Sequence, residues 1–486
     1  MRRVREEKAG FFLVSEEGNK IELEYNQFPD GEYYLRLVSP EEINNASLNF
    51  YATLNSSEDF VKILLTLGTL KQYGAKEINL TLKNWTPFSE EDYLIVSIFR
   101  IFAQKVSLLF EQSGEYYLLP INSIVPQEKK EGPLHIDHVA YLQPRFRETV
   151  EGAVSRLKEA ESQFLEIKQI FPGHWKVSLP EKLSGKNIVI VHSTENSENI
   201  LSLILTLSLL RLKGVNSISL INTYQGYSRQ DKEFKEGEGV SAYILLEVLN
   251  CLLDKNFTIN VHYGKRSGLV EINPEIWISE EEGYPKTIDI LPPQSVYNLN
   301  GFVQLAEGLL REIEALKGKD EVQKPLLILS PDDGGFLYVQ EAGEVLRERY
   351  GLNVISGYLN KERISATEVI ISGEILTEGG KTLSLPRALK DYYIFILDDE
   401  TSTGGTIKSA VYHLVNNLGA DAEKIFAGVV QGKFSSGREE FYFLKDKEAL
   451  PQLLVTLDTL PVFPGIKTIS SAPLISFCIK RILGGL

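Results

Sequence analysis

The chain has little of what would make a disulfide framework, a membrane segment or a nucleic-acid footprint. Its 486 residues include two cysteines, Cys251 and Cys478. So far apart, they fit neither a zinc-ligand spacing nor a small-domain disulfide pattern, and the expectation is two buried thiols in a reducing cytoplasm. Net positive charge is also missing: the formal charge is −15 and the sequence pI about 5.1. That argues against nucleic acid and against a basic membrane patch, so an anionic ligand has to be met by locally placed cations. There is no long apolar run. The longest, around 200–212, is interrupted by Ser202, Thr206, Ser208 and Arg211, and the opening MRRVREEKAG has no apolar core. Neither an export signal nor a membrane span is expected. A G-x-x-x-x-G-K-[ST] phosphate loop is absent too. The stretch GEGVSA (237–242) passes a G-x-G-x-x-A filter, but it follows the charged KEFKE rather than a strand, the wrong context for a dinucleotide site.

What is present is a globular composition, 43% hydrophobic, with length for two or three domains at roughly 150 residues each. A repeat organises it. ILLTLGTLKQYGAKEINL (63–80) aligns with LILTLSLLRLKGVNSISL (203–220), and the offset from Thr66 to Thr206 equals that from Gly74 to Gly214. Each copy has helical apolar spacing, a glycine stop and a short β-like run. Upstream, FPDGEYYLRL (28–37) faces FPGHWKVSLP (171–180) at a slightly different offset. A third region has apolar strands LLILS (326–330), YIFIL (393–397), IFAGVV (425–430) and LLVTLD (453–458) between helical patterns, the signature of parallel α/β layers. The charged stretch 147–162 lies near the join of the repeats, and the proline-rich 289–301 precedes the third region.

The stretch ILDDETSTGGTIKS (396–409) carries the chemistry. It sets Asp398 and Asp399 at the end of an apolar strand and then a small-residue turn, Thr403, Gly404, Gly405 and Thr406, leading into a helix. Such a turn can aim backbone N–H groups at a phosphate, whereas the carboxylates suit hydroxyl groups or a divalent metal. A pentose 5-phosphate joins both ends. A helix cap with an acidic first turn explains the same residues without a ligand. The stretch HIDH (135–138) suggests a metal pair only if further ligands join it; otherwise it is a surface loop.

ILDDETSTGGT resembles the pentose-phosphate-binding signature of the type I phosphoribosyltransferase fold. TYQGYSRQDKEFKEGEGVSAYILLEVL (from 223) and NVHYGKRSGLVEI (to 272) resemble the nucleotide-binding and histidine segments of the ribose-phosphate diphosphokinase family, the phosphoribosyl pyrophosphate (PRPP) synthetases. LSPDDGG, YLNKERISATEV, GKFSSGREEF and VTLDTLP follow in that family's order, and the resemblance covers about 165–486. It implies an α/β protein of tandem phosphoribosyltransferase-like (Rossmann-like) domains with largely parallel sheets. Residues 1–150 would be a degenerate copy of the N-terminal domain, 165–300 the N-terminal domain with the ATP-binding segment, and 301–486 the domain binding ribose 5-phosphate. The implied reaction moves the diphosphoryl group of ATP onto the anomeric hydroxyl of ribose 5-phosphate, with Mg²⁺, in the cytoplasm.

By the same resemblance Arg229, Gln230 and Asp231 serve ATP, His262 and Asp332 a Mg²⁺ site, and Lys361, Arg363 and His262 catalysis. Asp398 and Asp399 hold the ribose hydroxyls, with Ser402 beside them and Thr403, Gly404, Gly405 and Thr406 on the phosphate. There are departures: Ser402 replaces an expected aspartate, an insert falls around 374–391, and the adenine-gripping FPDGE motif reads FPGHW in the second repeat. The first repeat keeps it as Phe28, Asp30 and Glu32, but has NWTPFSEEDY (84–93) where the second has GYSRQDK. The two copies are degenerate in complementary places, so the first would complete the second's ATP site, within the chain or across a dimer. The partners implied are ATP, ribose 5-phosphate and a second copy or another synthetase-like subunit. The alternatives are a non-catalytic regulatory subunit and, against the retention of SRQDK and His262, a PRPP-using phosphoribosyltransferase.

Overall fold

The computed structural model describes residues 11–28, 31–83, 85, 89–112, 115–120, 136–157, 161–172, 174–180, 182–272, 277–278, 286–287, 293–363, 369–434, 450–461 and 463–482. Three α/β lobes follow one another, each on a sheet whose central strands are parallel. The first sheet has the parallel strands Ser47–Ala52, Glu77–Lys83 and Lys105–Gln112 at its centre, with antiparallel strands at both edges. The second runs in the order Glu161–Phe164, His138–Tyr141, Asn187–His192, Ser217–Asn222, Lys255–Ile259, Gln294–Leu299 and Gly268–Ile272, only the last antiparallel. The third centres on Leu326–Ser330, Tyr393–Thr401 and Ile425–Gly432. The insert around 374–391 extends its edge, where Val369–Thr377 pairs antiparallel with Val354–Arg363 and with Lys381–Thr382.

The sequence repeat is matched by a repeat of elements. Strand Ser47–Ala52, helix Ser57–Gln72 and strand Glu77–Lys83 correspond in length and spacing to Asn187–His192, Ser197–Leu212 and Ser217–Asn222. Both helices start on a side-chain cap, Ser56 accepting from the Asp59 N–H and Asn196 from the Asn199 N–H. Both end at a left-handed glycine, Gly74 or Gly214. The second sheet begins at His138, and the boundary expected at 150 falls inside the helix Arg147–Val154.

Strand alternation explains how the lobes stack. In Asn187–His192, Ile188 and Ile190 face a core shared with the first lobe, while Val189 and Val191 face one shared with the third. Buried on both faces, the second sheet reads as near-continuous apolar runs. The two repeat helices, Ser57–Gln72 and Ser197–Leu212, pack on each other.

Each repeat also reaches across with a hairpin. The first, Leu23–Gln27 with Tyr33–Leu37, docks on the second lobe: the Leu37 N–H donates to the Gly237 carbonyl (2.8 Å), the Gly239 N–H to that of Leu35 (3.3 Å) and Arg36 Nε to that of Glu236 (3.1 Å). These contacts explain the glycines of GEGVSA. Gly237 has φ +92° and a Cβ there would lie 2.1 Å from the Leu37 carbonyl oxygen, while a Cβ on Gly239 would lie 1.9 Å from Thr69 Oγ1. The second hairpin, Glu166–Phe171 with His174–Ser178, docks on the first lobe. There His174 stacks on Trp85 (5.5 Å between ring centroids) and its Nδ1 meets Asp92 Oδ2 at 3.0 Å.

Among the described residues no helix is long and apolar enough to cross a membrane. No disulfide joins the cysteines, but one expectation fails: Cys251 is exposed, since it falls on the outer face of the helix Ser241–Leu252, and only Cys478 is buried. Of HIDH, His135 lies outside the described residues; Asp137 accepts from Lys186 Nζ and the Asn187 N–H, both at 2.9 Å, and His138 opens a strand.

Candidate active site

The strand Tyr393–Thr401 lies between two parallel neighbours, so its C-terminal end opens on the edge where ligands meet open α/β sheets. Its first six residues are buried, five of them apolar from Tyr393 to Leu397 and the sixth Asp398, and Asp399 follows. The chain turns at Gly404 (φ +76°) into the helix Gly405–Asn416. Two hydroxyls brace the turn: Thr401 Oγ1 accepts from the Gly404 N–H (3.0 Å) and Thr403 Oγ1 from the Gly405 N–H (3.3 Å). The N–H groups of Thr406 and Ile407, in the first turn, have no intrahelical acceptor, and the helix dipole gives this end partial positive character. Ser402 is half-buried beside them. On the neighbouring strand's end, Asp332 Oδ1 caps the next helix by accepting from the Gly334 N–H (3.1 Å).

The second lobe supplies the opposite wall through two loops at the same kind of strand end. One carries Arg229, Gln230 and Asp231 after Ser217–Asn222; the other carries His262 after Lys255–Ile259. Tyr227 (62°) and Asn260 (45°), one on each of these loops, have positive φ, a conformation that surrounding contacts must hold. Gln431 latches the walls together, its Nε2 donating to the carbonyls of Thr223 (2.9 Å) and Ile259 (3.1 Å). Tyr224, Ser228, Asn260, His262, Asp399 and Glu400 line the recess between them.

Charge converges there. His262 Nδ1 lies 3.7 Å from Asp399 Oδ2, and Arg229 reaches Glu400 Oε1 at 3.4 Å. The polar contact with Asp399 raises the His262 pKa, against burial. For Asp399 burial pushes the pKa up, but the contact with His262, together with hydrogen bonds from the Glu400 N–H and Asp398, holds the carboxyl below its ordinary range. The ion pair therefore persists to higher pH than an isolated histidine would allow.

The first lobe reaches this cleft from below. Glu32, 4% exposed, accepts on Oε1 from the Tyr227 N–H (2.9 Å) and the Tyr224 hydroxyl (3.3 Å), and lies 3.6 Å from Lys433 Nζ. It thus sits beneath the Arg229 turn, holding Tyr227 in its left-handed conformation. Phe28 at the hairpin tip is 36% exposed and packs on Tyr34; Asp30 lies outside the described residues. Gln230 is buried, its Oε1 accepting from Ser241 Oγ (2.7 Å), and Asp231 is half-buried on the turn. Lys361 and Arg363 occupy alternate positions of Val354–Arg363, opposite Ile371 and Val369; their side chains lie outside the described ones.

Sequence reasoning missed Glu400, Gln431 and Lys433. The one available signal was position: each is polar and ends a buried apolar strand beside the paired aspartates. For Mg²⁺, the carboxylates of Asp332, Asp398 and Asp399 are the hard oxygen donors it prefers, but no three candidate ligands cluster among the described residues. With fewer than three protein donors together, a Mg²⁺ ion here would take most of its six positions from water or from a ligand's own oxygens.

Residues 147–252 match the family model of the N-terminal domain of ribose phosphate pyrophosphokinase. The ribose-phosphate pyrophosphokinase of Pyrococcus furiosus is 27% identical over 299 residues, 61% of this chain and 86% of the relative. That of Campylobacter jejuni is 24% identical over 328 residues, 65% of this chain and 86% of the relative. The solved phosphoribosylpyrophosphate synthetase from Mycobacterium smegmatis superposes with a TM-score of 0.48 at 17% identity, over 72% of this chain and all of that one.

Proposed function

Because the chain belongs to the ribose-phosphate pyrophosphokinase family, we propose that it makes PRPP and AMP from ATP and ribose 5-phosphate in the cleft between its second and third lobes. The observation that carries this reading is the meeting of His262 with Asp399 across the cleft at 3.7 Å, with Arg229 reaching Glu400 beside them. The nucleotide wall and the pentose wall, over a hundred residues apart in sequence, face the same recess.

In this reaction the anomeric hydroxyl oxygen forms a bond to the β-phosphorus, the bond from that phosphorus to the α,β-bridging oxygen breaks, and AMP leaves with the electron pair. The hydroxyl proton passes to solvent. Such transfer depends mainly on positioning and charge neutralisation. Asp398 and Asp399 suit the ribose hydroxyls, and the Thr403–Thr406 turn, with its helix N-terminus, suits the 5-phosphate. Arg229 meets the triphosphate, with Lys361 and Arg363 supplying further positive charge from the strand Val354–Arg363. Asp332 and His262, directly or through water, would hold a Mg²⁺ ion beside the aspartate pair, and the ion would neutralise phosphate charge. The first lobe contributes its Phe28 hairpin in cis, a reading supported by the contacts of Glu32 with the Arg229 turn. Two thiols without a disulfide agree with a cytoplasmic site of action.

The test is phosphorus NMR of the purified chain with ATP, Mg²⁺ and ribose 5-phosphate. Pentose-dependent PRPP with equimolar AMP is expected. Substrate binding by calorimetry without product would overturn the catalytic reading and leave a regulatory subunit.

A further inference from the structure

One buried cation touches all three lobes. Lys433 follows the third lobe's strand Ile425–Gly432 and its side chain is 8% exposed. Its Nζ lies 3.6 Å from Glu32 of the first lobe, 3.5 Å from Glu400 of the third and 4.7 Å from the ring centroid of Tyr224 of the second. Glu32 fixes the turn that carries Arg229, through the Tyr227 N–H, and Glu400 holds Arg229 itself at 3.4 Å. Glu32, Lys433, Glu400 and Arg229 therefore form a chain of alternating charge that runs from the first lobe to the cleft.

That arrangement has a consequence for an anionic ligand. Arg229, with a side chain 45% exposed, is the member a triphosphate can draw away. When it leaves, Glu400 is a largely buried carboxylate, and losing a cationic partner costs most where water cannot replace it. Lys433 remains at 3.5 Å to compensate. We propose that Lys433 is a positioning residue that keeps the Arg229 turn in register with Asp399 and, by retaining Glu400, releases Arg229 to the triphosphate of the nucleotide substrate. This rests on the function proposed above and extends it to a residue that touches neither substrate.

The experiment compares Lys433→Met, Lys433→Arg, Glu400→Gln and the double variant Lys433→Met with Glu400→Gln. Without Lys433, Glu400 holds Arg229 more firmly, so KM for MgATP should rise about tenfold or more, given typical energies of charge-assisted bonds. KM for ribose 5-phosphate should stay within about threefold, because Asp398 and Asp399 are untouched. Lys433→Arg keeps the charge and should restore most of the ATP affinity. Glu400→Gln frees Arg229 and should leave ATP affinity equal or better, alone and in the double variant. A purely structural lysine would instead shift both Michaelis constants together with the melting temperature, and Glu400→Gln would not rescue; either result overturns the proposal. Should Lys433→Met fail to fold, Glu400→Gln alone decides it, since weaker ATP binding there contradicts release. Calorimetric MgATP affinity and hydrogen exchange at the 226–230 amides are read in the same variants without turnover. Absence of PRPP in the unaltered chain would remove the proposed function, while these two measurements would still judge Lys433.

Discussion

At the scale of single residues, the most informative groups are buried polar ones whose surroundings settle their charge. His192 ends a central strand with its Nε2 2.9 Å from the Asn199 carbonyl, and burial pushes its pKa down from 6.5 to about 4. Between those values the unfolded chain binds a proton there and the folded chain does not, so stability falls as the pH falls from 6.5 to 4. The loss approaches about 3 kcal/mol by linkage. His192→Gln should flatten this acid limb in denaturant titrations at pH 7 and pH 4.5; an unchanged limb would refute the assignment. Asp399, which the proposed function assigns to the ribose hydroxyls, also holds His262. Asp399→Ala should weaken ribose 5-phosphate binding about tenfold or more in calorimetry, whereas Lys361→Ala should lower turnover with that binding nearly intact.

At the scale of elements, the first hairpin acts as a strut beneath the Arg229 turn as well as a carrier of Phe28. Replacing Phe28 and Glu32 together by alanine should raise KM for ATP many-fold, because it removes both an exposed ring and the acceptor that holds Tyr227 left-handed. The hairpin's dock is unforgiving of added bulk. Gly237→Ala puts a Cβ against the Leu37 carbonyl at positive φ and should cost at least about 2 kcal/mol in thermal or chemical unfolding. The partner hairpin shows the other fate of the same device. Its His174 is engaged by Trp85 and Asp92, so it locks the hairpin onto the first lobe. Trp85→Ala should therefore lower stability by about 3 kcal/mol while leaving KM for ATP within about twofold.

At the scale of the molecule, the two N-terminal repeats exchange hairpins inside one chain, as two subunits of a symmetric dimer would between chains. A site completed in cis does not need a second copy. Mixing the Phe28, Glu32 double variant with an Arg229→Ala variant should yield no recovered activity, and activity per milligram should not fall on dilution. Recovery on mixing would show that the hairpin is donated in trans.

The sequence by itself determined the local and periodic features. The apolar alternation, the capped helices, the glycine stops and the equal offset between repeats follow from the chain's own spacing, and the acidic strand end before a small-residue turn followed by a helix is legible in consecutive residues. The complementary wear of the two repeats was legible too; that the first completes the second's ATP site is a proposal, which the Phe28 and Glu32 variants test. Only the tertiary structure decided what depends on distant strand ends coming together. It brought His262 to Asp399, seated Glu32 under Tyr227 rather than out in the open cleft, and made Lys433 a contact among three lobes. Such meetings leave no mark in local spacing, because a lysine after a strand has the same pattern whether it faces water or two buried carboxylates. Cys251 followed the same rule in the opposite sense: its helix is mostly apolar, and only packing selected which face would be left outside.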